Sequence, residues 1–527
     1  MTDHRTQEIS LRTGLGLTRR ELLIGLAALG ITACVPRGTG RGGAAFFGVR
    51  DPDPLPDVPD GLFALGVACG DPTPDGFVLW TRLAPEPVAD AGGMPDRNVS
   101  VRWQIAEDPD FQLLAADGVV QTSSAVAHSV HVDVSGLEPD REYWYRFTTG
   151  GQVSTVGRAR TAPGVGAEVD HLRVLLASCQ HYEQGFYTAW SHAAADQPDL
   201  VVFLGDYIYE GGASSNRPRQ HNSPAVTTLD AYRKRYGLYK SDHRLQAAHA
   251  AAPWILTWDD HEVQNNYTAW IPQSGTGLEA FAARRVAAYQ AYWEHQPIRV
   301  EPLDGVMPLH RSLRWGSLLD VHVLDGRQYR STVACGADIS VDCEERYDTT
   351  RTMLGPEQMD WLTGQLDAEP ATWSLLANQT VMSPMPIGTA FNMDQWDGFP
   401  AERSRLLDAL TGVRNAVVAT GDIHSAGIAT LKDEPADSPA VGTEVVTTSI
   451  SSNTTSQLTL VLPIILDQNP HIRWADPHHR GYARLDVTPE HIDVDFVSTQ
   501  TDTDELGPAD IETSWRILDG IPGAQPR

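Results

Sequence analysis

The apolar positions of this chain change rhythm once. From about residue 61 to 163 they alternate with polar ones in short runs between turn signals: GFVLWTRL, VSVRWQIAED, AHSVHVDVSGLEPDREYWYRFTTGG and VSTVGRARTAP. Alternation of period two predicts half-buried strands. Trp103 within one run, and the pattern L-x-P-x-x-x-Y-x-Y from Leu137 to Tyr145, predict a β-sandwich of the immunoglobulin or fibronectin type over 61–165. From about residue 170 the apolar runs become continuous and stop abruptly at polar clusters, as in HLRVLLASC, DLVVFLGDYIYEGG, APWILTWDDHEVQNN, SLLDVHVLDGRQYR, WSLLANQTVMSP and NAVVATGDIHSAG. Helical periodicity lies between several of them, in LEAFAARRVAAYQAYWEH and GPEQMDWLTGQLDA. Strands apolar on both faces and interleaved with helices predict an α/β domain over 170–505, leaving 506–527 as a C-terminal tail.

In open α/β sheets ligands collect beyond the carboxyl ends of the strands. Here those ends carry Cys179, then Asp206 and Tyr209, then Asp259, Asp260 and His261 with Asn265, and finally Asp422 and His424. Carboxylate, imidazole, phenol, thiol and amide groups on one edge can bind two or more cations, with a carboxylate bridging them. Buried together without cations, the acidic groups would repel one another and their pKa values would rise. Each residue alone has a plainer reading. Asp206 could cap the next element, Tyr209 could be a core ring, His261 a structural histidine and Cys179 a small buried thiol. Asp259 suits a loop-fixing role better than Asp260 does. The coincidence across several strand ends favours metal binding. The sandwich region shows no such cluster and reads as a structural or positioning module.

Composition narrows the partners. The 527 residues carry 68 acidic against 40 basic side chains, a net charge of −28. That excludes a nucleic-acid binder relying on a global basic surface, but not a phosphorylated substrate, because ions or a local Arg can supply positive charge. At the N-terminus TRRELLIGLAALGITAC places Arg19 and Arg20 before an apolar stretch too short to span a bilayer. This is the layout of a twin-arginine signal over 1–34, so the twin-arginine translocase is an expected partner and the periplasm, cell surface or exterior the expected location. The closing ITAC resembles a lipobox; Cys34 is either a lipid anchor to the membrane or a chance ending. Residues 35–60, rich in Gly and Pro, read as a linker. Cys335 and Cys343 flank GADISVD, a loop a disulfide could close in an oxidising compartment, which leaves Cys69 and Cys179 free or paired with each other.

Several of these segments together carry a resemblance. SCQHYEQGFYTAW, GDYIYEGG, TWDDHEVQNNY, EHQPIR, LDGRQYRS, ANQTVMSP, WDGFPAERSRLL and GDIHSAG resemble, in order, the PhoD-like metallophosphatases, the alkaline phosphatase D family. LGVACGDPTPDGFVLWTRL resembles the opening of that family's N-terminal domain. Cys69 and Gly326 depart from the family pattern, where Ser and Thr are expected. The resemblance implies a calcineurin-like metallophosphatase fold, two mixed sheets flanked by helices, holding Fe3+ and Ca2+. By position, Cys179, Asp206 and Tyr209 look like iron ligands, with Asp206 the bridge to the second metal. Asp260 looks like a ligand of that second metal and His261 like a proton donor or phosphate contact. Asn265 is a candidate calcium ligand; Asp422 and His424 are ligands of unassigned metal. Arg299 and Arg327 are candidates for gripping phosphate oxygens, each with a structural alternative. The expected function is hydrolysis of phosphomonoesters, and of diesters, by metal-assisted in-line attack at phosphorus. The alternatives are a phosphodiesterase or phospholipase with weak monoesterase activity, and a surface-tethered binding protein with a degenerate hydrolase fold.

Overall fold

The computed structural model describes residues 60–527 apart from 222, 274, 369–370, 434–437 and 500–502. The signal segment, Cys34 and all but the last linker residue lie outside the described residues. Two sheets form the centre. One has ten strands, in the order Ala524–Pro526, Ala509–Leu518, His491–Thr499, Arg480–Val487, Leu172–Ala177, Leu200–Phe203, Trp254–Leu256, Val67–Thr73, Gly76–Arg82 and Ser129–Val134. The other has seven: Arg311–Trp315, Leu319–Val323, Trp373–Ala377, Ala416–Thr420, Gly442–Val446, Ala426–Leu431 and Ile472–Asp476.

The continuous apolar runs follow from burial on both faces. Val174 and Leu176 point into a core shared with Val321, Leu375 and Val417 of the second sheet. Their neighbours Leu175 and Ala177 face a different core, built from Trp190, Tyr232, Tyr236, Leu245 and Tyr289 on the outer helices. The second sheet repeats the arrangement, Leu376 and Val418 turning outward onto Leu362 and Leu406. Each fully buried Val or Leu contributes about 1.5–3 kcal/mol, which is why apolar residues dominate both faces. Parallel pairing sets the functional edge. Leu200–Phe203 runs parallel to both Leu172–Ala177 and Trp254–Leu256, and four strands of the second sheet are mutually parallel. Their carboxyl ends therefore meet at one edge, where a bridge from Ser178 to Ser449 ties the two sheets together.

The N-terminal region differs from an independent sandwich. Its smaller sheet is separate, with five strands, and within the Leu137–Tyr145 pattern Tyr143 accepts a hydrogen bond from the Glu138 backbone. Its other face is not separate: Val67–Thr73 pairs with Trp254–Leu256, so three sandwich strands extend the ten-stranded sheet. Gly70 sits at that seam, where a Cβ would lie 2.3 Å from the Pro297 carbonyl oxygen. The predicted tail is also corrected. Residues 509–518 and 524–526 are strands, because Trp515 and Ile517 alternate into the core while Arg516 pairs with Asp493. Cys335 and Cys343 are bridged, whereas Cys69 and Cys179 are buried and free. Among the described residues no helix is long and apolar enough to cross a membrane.

Candidate metal centre

Four loops leave the sheets at the functional edge, each directly after a strand. Cys179, Asp206, Asp422 and His424 all adopt left-handed backbone conformations, with φ of +57°, +60°, +63° and +57°. A non-glycine residue there costs about 1–3 kcal/mol and persists only where its surroundings enforce it. Backbone bonds do so here: Cys179 N donates to Gly205 O at 3.0 Å, and Gly421 N to Gln379 O at 2.8 Å. Glu262 secures two loops at once, its carboxylate accepting from the backbone N–H groups of Asp206, Tyr207 and Asp259. Gly205 lets these loops approach, since a Cβ at its φ of +112° would stand 2.6 Å from Asp259.

The strained loops bring the side chains into three interlocking groups whose ligand atoms lie within 4.8 Å of one another: Cys179, Asp206 and His424; Asp206, Asp260 and His261; Asp259, Asp260 and Asp422. Asp206 belongs to the first two groups and Asp260 to the last two. Tyr209 joins the first, its hydroxyl donating to Asp206 at 2.8 Å and lying 3.0 Å from His424 Nε2. Ser452 Oγ is 2.8 Å from both the Cys179 carbonyl and the Tyr209 hydroxyl, linking the second sheet to this group.

The donor set fits cations. Asp259 gives one oxygen to Arg327 Nε at 2.5 Å and Asp260 gives one to the Asn266 N–H at 2.6 Å. The other oxygens, Asp259 Oδ2 and Asp260 Oδ1, are buried with no hydrogen-bond donor among the described residues, and Arg327 Nη2 lies 3.8 Å from Asp260 Oδ1. A buried carboxylate oxygen left so is costly unless a cation faces it. Burial pushes the pKa values of Cys179, Tyr209, Asp206 and Asp259 well up, so nearby positive charge is what would keep these groups ionised. His424 has the tautomer a ligand would need. Its Nδ1 lies 2.9 Å from the Asn453 carbonyl, which can only accept, so the proton sits on Nδ1 and the Nε2 lone pair faces the cluster. Burial lowers its pKa to about 4, which keeps the ring neutral.

His261 is built differently. Its Nδ1 donates to Glu210 Oε2 at 2.7 Å, and the ring lies over Tyr209 with centroids 4.1 Å apart. Burial opposes protonation, but Glu210, Asp260 and Asp206 outweigh it and hold the pKa well above the ordinary histidine value. The arrangement suits a proton donor at Nε2, for which no hydrogen-bond partner stands among the described residues.

Three expected residues are placed elsewhere or otherwise occupied. Arg299 is not brought to the cluster: it donates to Asp133 at 2.9 Å and to the Asp71 carbonyl, holding the N-terminal strands to the loop after the helix Leu278–His295. Arg327 lies beneath the cluster and is fully buried, but its guanidinium is committed to Asp259 and, in two parallel bonds of 2.9 and 3.0 Å, to Asp394. It orients carboxylates and has no edge left for phosphate. Asn265 turns its amide to Gln273 at 2.9 Å, and the adjacent Asn266 is the one that reaches the cavity beside the cluster. Glu210, Glu262, Asp394, Gln395 and Ser452 were not among the expected site residues. Gln395 donates to Asp422 at 2.5 Å while its own oxygen accepts from the Val381 N–H. Glu210 and Glu262 stood inside the GDYIYE and DDHE motifs; Gln395 and Ser452 carry no local signal.

The architecture and its motifs match known proteins over nearly the whole described chain. Residues 174–496 match the PhoD-like phosphatase family and residues 54–163 its N-terminal domain. Alkaline phosphatase D of Bacillus subtilis (strain 168) is 43% identical over 450 residues, covering 82% of this chain and 77% of the relative. The solved structure of PhoD superposes with a TM-score of 0.86 at 40% identity, covering 90% of this chain and 93% of that one. Sequence, fold and the order of the strand-end motifs agree, and the chain belongs to the PhoD-like phosphatases, a family of hydrolases.

Proposed function

We propose that this phosphatase is an exported enzyme hydrolysing phosphomonoesters, and phosphodiesters, under alkaline conditions with iron and calcium at the strand-end cluster. The observation that carries the reading is the set of three groups sharing Asp206 and Asp260, two of whose buried carboxylate oxygens lack donors among the described residues. Cys179, Asp206, Tyr209 and His424 would hold Fe3+, thiolate and phenolate suiting an oxidised ion. Asp260, Asp259 and Asp422 offer the oxygen donors that calcium prefers. The ions, when bound, supply charge neutralisation at the phosphoryl group and acidify water for in-line attack. His261, oriented by Glu210, holds a proton at Nε2 for the leaving alcohol. Arg327 keeps Asp259 in place through its fork with Asp394.

The preserved cluster speaks against a degenerate binding protein. Twin-arginine export and the choice at Cys34 between lipid anchor and free terminus remain part of the proposal. Assays with p-nitrophenyl phosphate and its bis-ester, before and after chelation, test the reading. Loss on chelation and recovery with Fe3+ plus Ca2+ is the expected result; no hydrolysis of either ester after reconstitution would sink it. A visible absorption band that survives Cys179→Ser combined with Tyr209→Phe would contradict the iron assignment. Export that persists after Arg19→Lys and Arg20→Lys would remove the twin-arginine route.

A further inference from the structure

A cavity of about 560 Å³ opens beside the cluster, with Asp422, His424, Asn266, Asp338, Asp394 and Gln395 among its polar lining residues. Most of its remaining wall is apolar: Ile339, Phe391, Ile423, Leu458, Val461 and Ile465 contribute side chains. No Lys or Arg is among the described residues lining it. Three of the apolar residues come from the helix Ser456–Gln468, which follows Ser452 by only a few residues. The same helix also exposes Leu460 at 78% and Ile464 at 47%. Across the cavity, Ile339 lies on the short strand Ile339–Val341 and is itself 63% exposed. That strand sits inside the loop closed by the Cys335–Cys343 bridge, so the wall has a covalent brace.

A polar substrate has little use for such a wall. A polyphosphate or a second phosphate group would meet Asp338 with no Lys or Arg among the described lining residues to balance it, since the one nearby fork, Arg327, is already taken by Asp394. An alkyl or aryl group would find apolar contact reaching from the cluster to an exposed apolar rim, and each methylene taken from water strengthens binding. We infer that the cavity is the binding site for the apolar alcohol portion of the ester, so that this enzyme selects phosphate esters carrying one phosphate and an extended alkyl or aryl group. The inference rests on the phosphoesterase reading and specifies its substrate class.

The test uses the metal-loaded full chain and p-nitrophenyl methyl, butyl and octyl phosphodiesters, each below its critical micelle concentration, with p-nitrophenyl phosphate alongside. The nitrophenolate leaving group is constant, so only the second ester group varies. From methyl to octyl kcat/KM should rise at least about 30-fold, well short of what full burial of every added methylene would give. Val461→Asn and Phe391→Asn should each flatten that rise. Comparing esters within one preparation cancels any loss of folded protein. Hydrolysis with no dependence on chain length, or a rise left unchanged by both substitutions, would each overturn the inference while leaving the phosphoesterase reading intact. Absence of hydrolysis for every ester, p-nitrophenyl phosphate included, would overturn both.

Discussion

Glu210 and Arg327 separate orienting from holding. Neither belongs to the three ligand groups, yet each fixes a residue that does. Glu210→Gln keeps the shape of the His261 contact but removes its charge. It should lower kcat about 10–100-fold, part of the 10²–10⁴ that a positioned acid supplies, with metal content by elemental analysis unchanged. Arg327→Met strands Asp259 as a buried unpaired carboxylate and leaves Asp394 with Arg330 alone, and should cost about 3–5 kcal/mol, read as a fall in melting temperature. Arg327→Lys should not restore stability, because an ammonium cannot span two carboxylates as a planar fork does. These roles mark the limit of the sequence. The gathering of Cys179, Asp206, Asp260, His261, Asp422 and His424 at one edge was legible because each follows an apolar run, and parallel pairing brings such ends together. Arg299 was misread because its partners, Asp71 and Asp133, come from another region of the chain. Gln395 and Ser452 were invisible because only tertiary folding brings them to Asp422 and Tyr209.

The strands at either end of the ten-stranded sheet show where periodicity was followed and where it was overlooked. The N-terminal alternation was legible as strands, but not the pairing of Val67–Thr73 onto Trp254–Leu256, which depends on the close approach at Gly70. The C-terminal strand was missed although IETSWRIL alternates, because one short half-buried run between loops resembles a tail. Its structural weight can be measured. A chain ending at Pro508 loses the buried side chains of Trp515 and Ile517 and the pairing of Arg516 with Asp493. It should be destabilised by about 4 kcal/mol or more, from apolar burial alone, and show a clearly lower melting temperature. It should also expose His491–Thr499 as a new sheet edge, and concentration-dependent aggregation would report that.

At the scale of the molecule, buried histidines tie stability to pH. His322, within the second sheet, is 3% exposed and accepts or donates with Ser312 at 2.8 Å; burial lowers its pKa to about 4. The unfolded chain takes up a proton near pH 6.5 where the folded chain does not, so stability is full above about 6.5 and is lost as the pH falls toward 4. This one group contributes up to about 3 kcal/mol to that loss. The drop in melting temperature between pH 7 and pH 5 should shrink in His322→Gln. The overall fold class was legible from the two rhythms of apolar positions; the shared sheet was not, since it joins strands far apart in the chain. That sharing bears on the order in which the molecule is made. Arg480–Val487 is one of the two neighbours of Leu172–Ala177, the strand that ends at Cys179. A ribosome that has reached Asp476 has already synthesised every candidate ligand, yet the strand leading to the thiol still lacks half its hydrogen-bonded support. Ion loading would then belong to the finished chain, and a stalled or truncated product would leave its thiol open to oxidation.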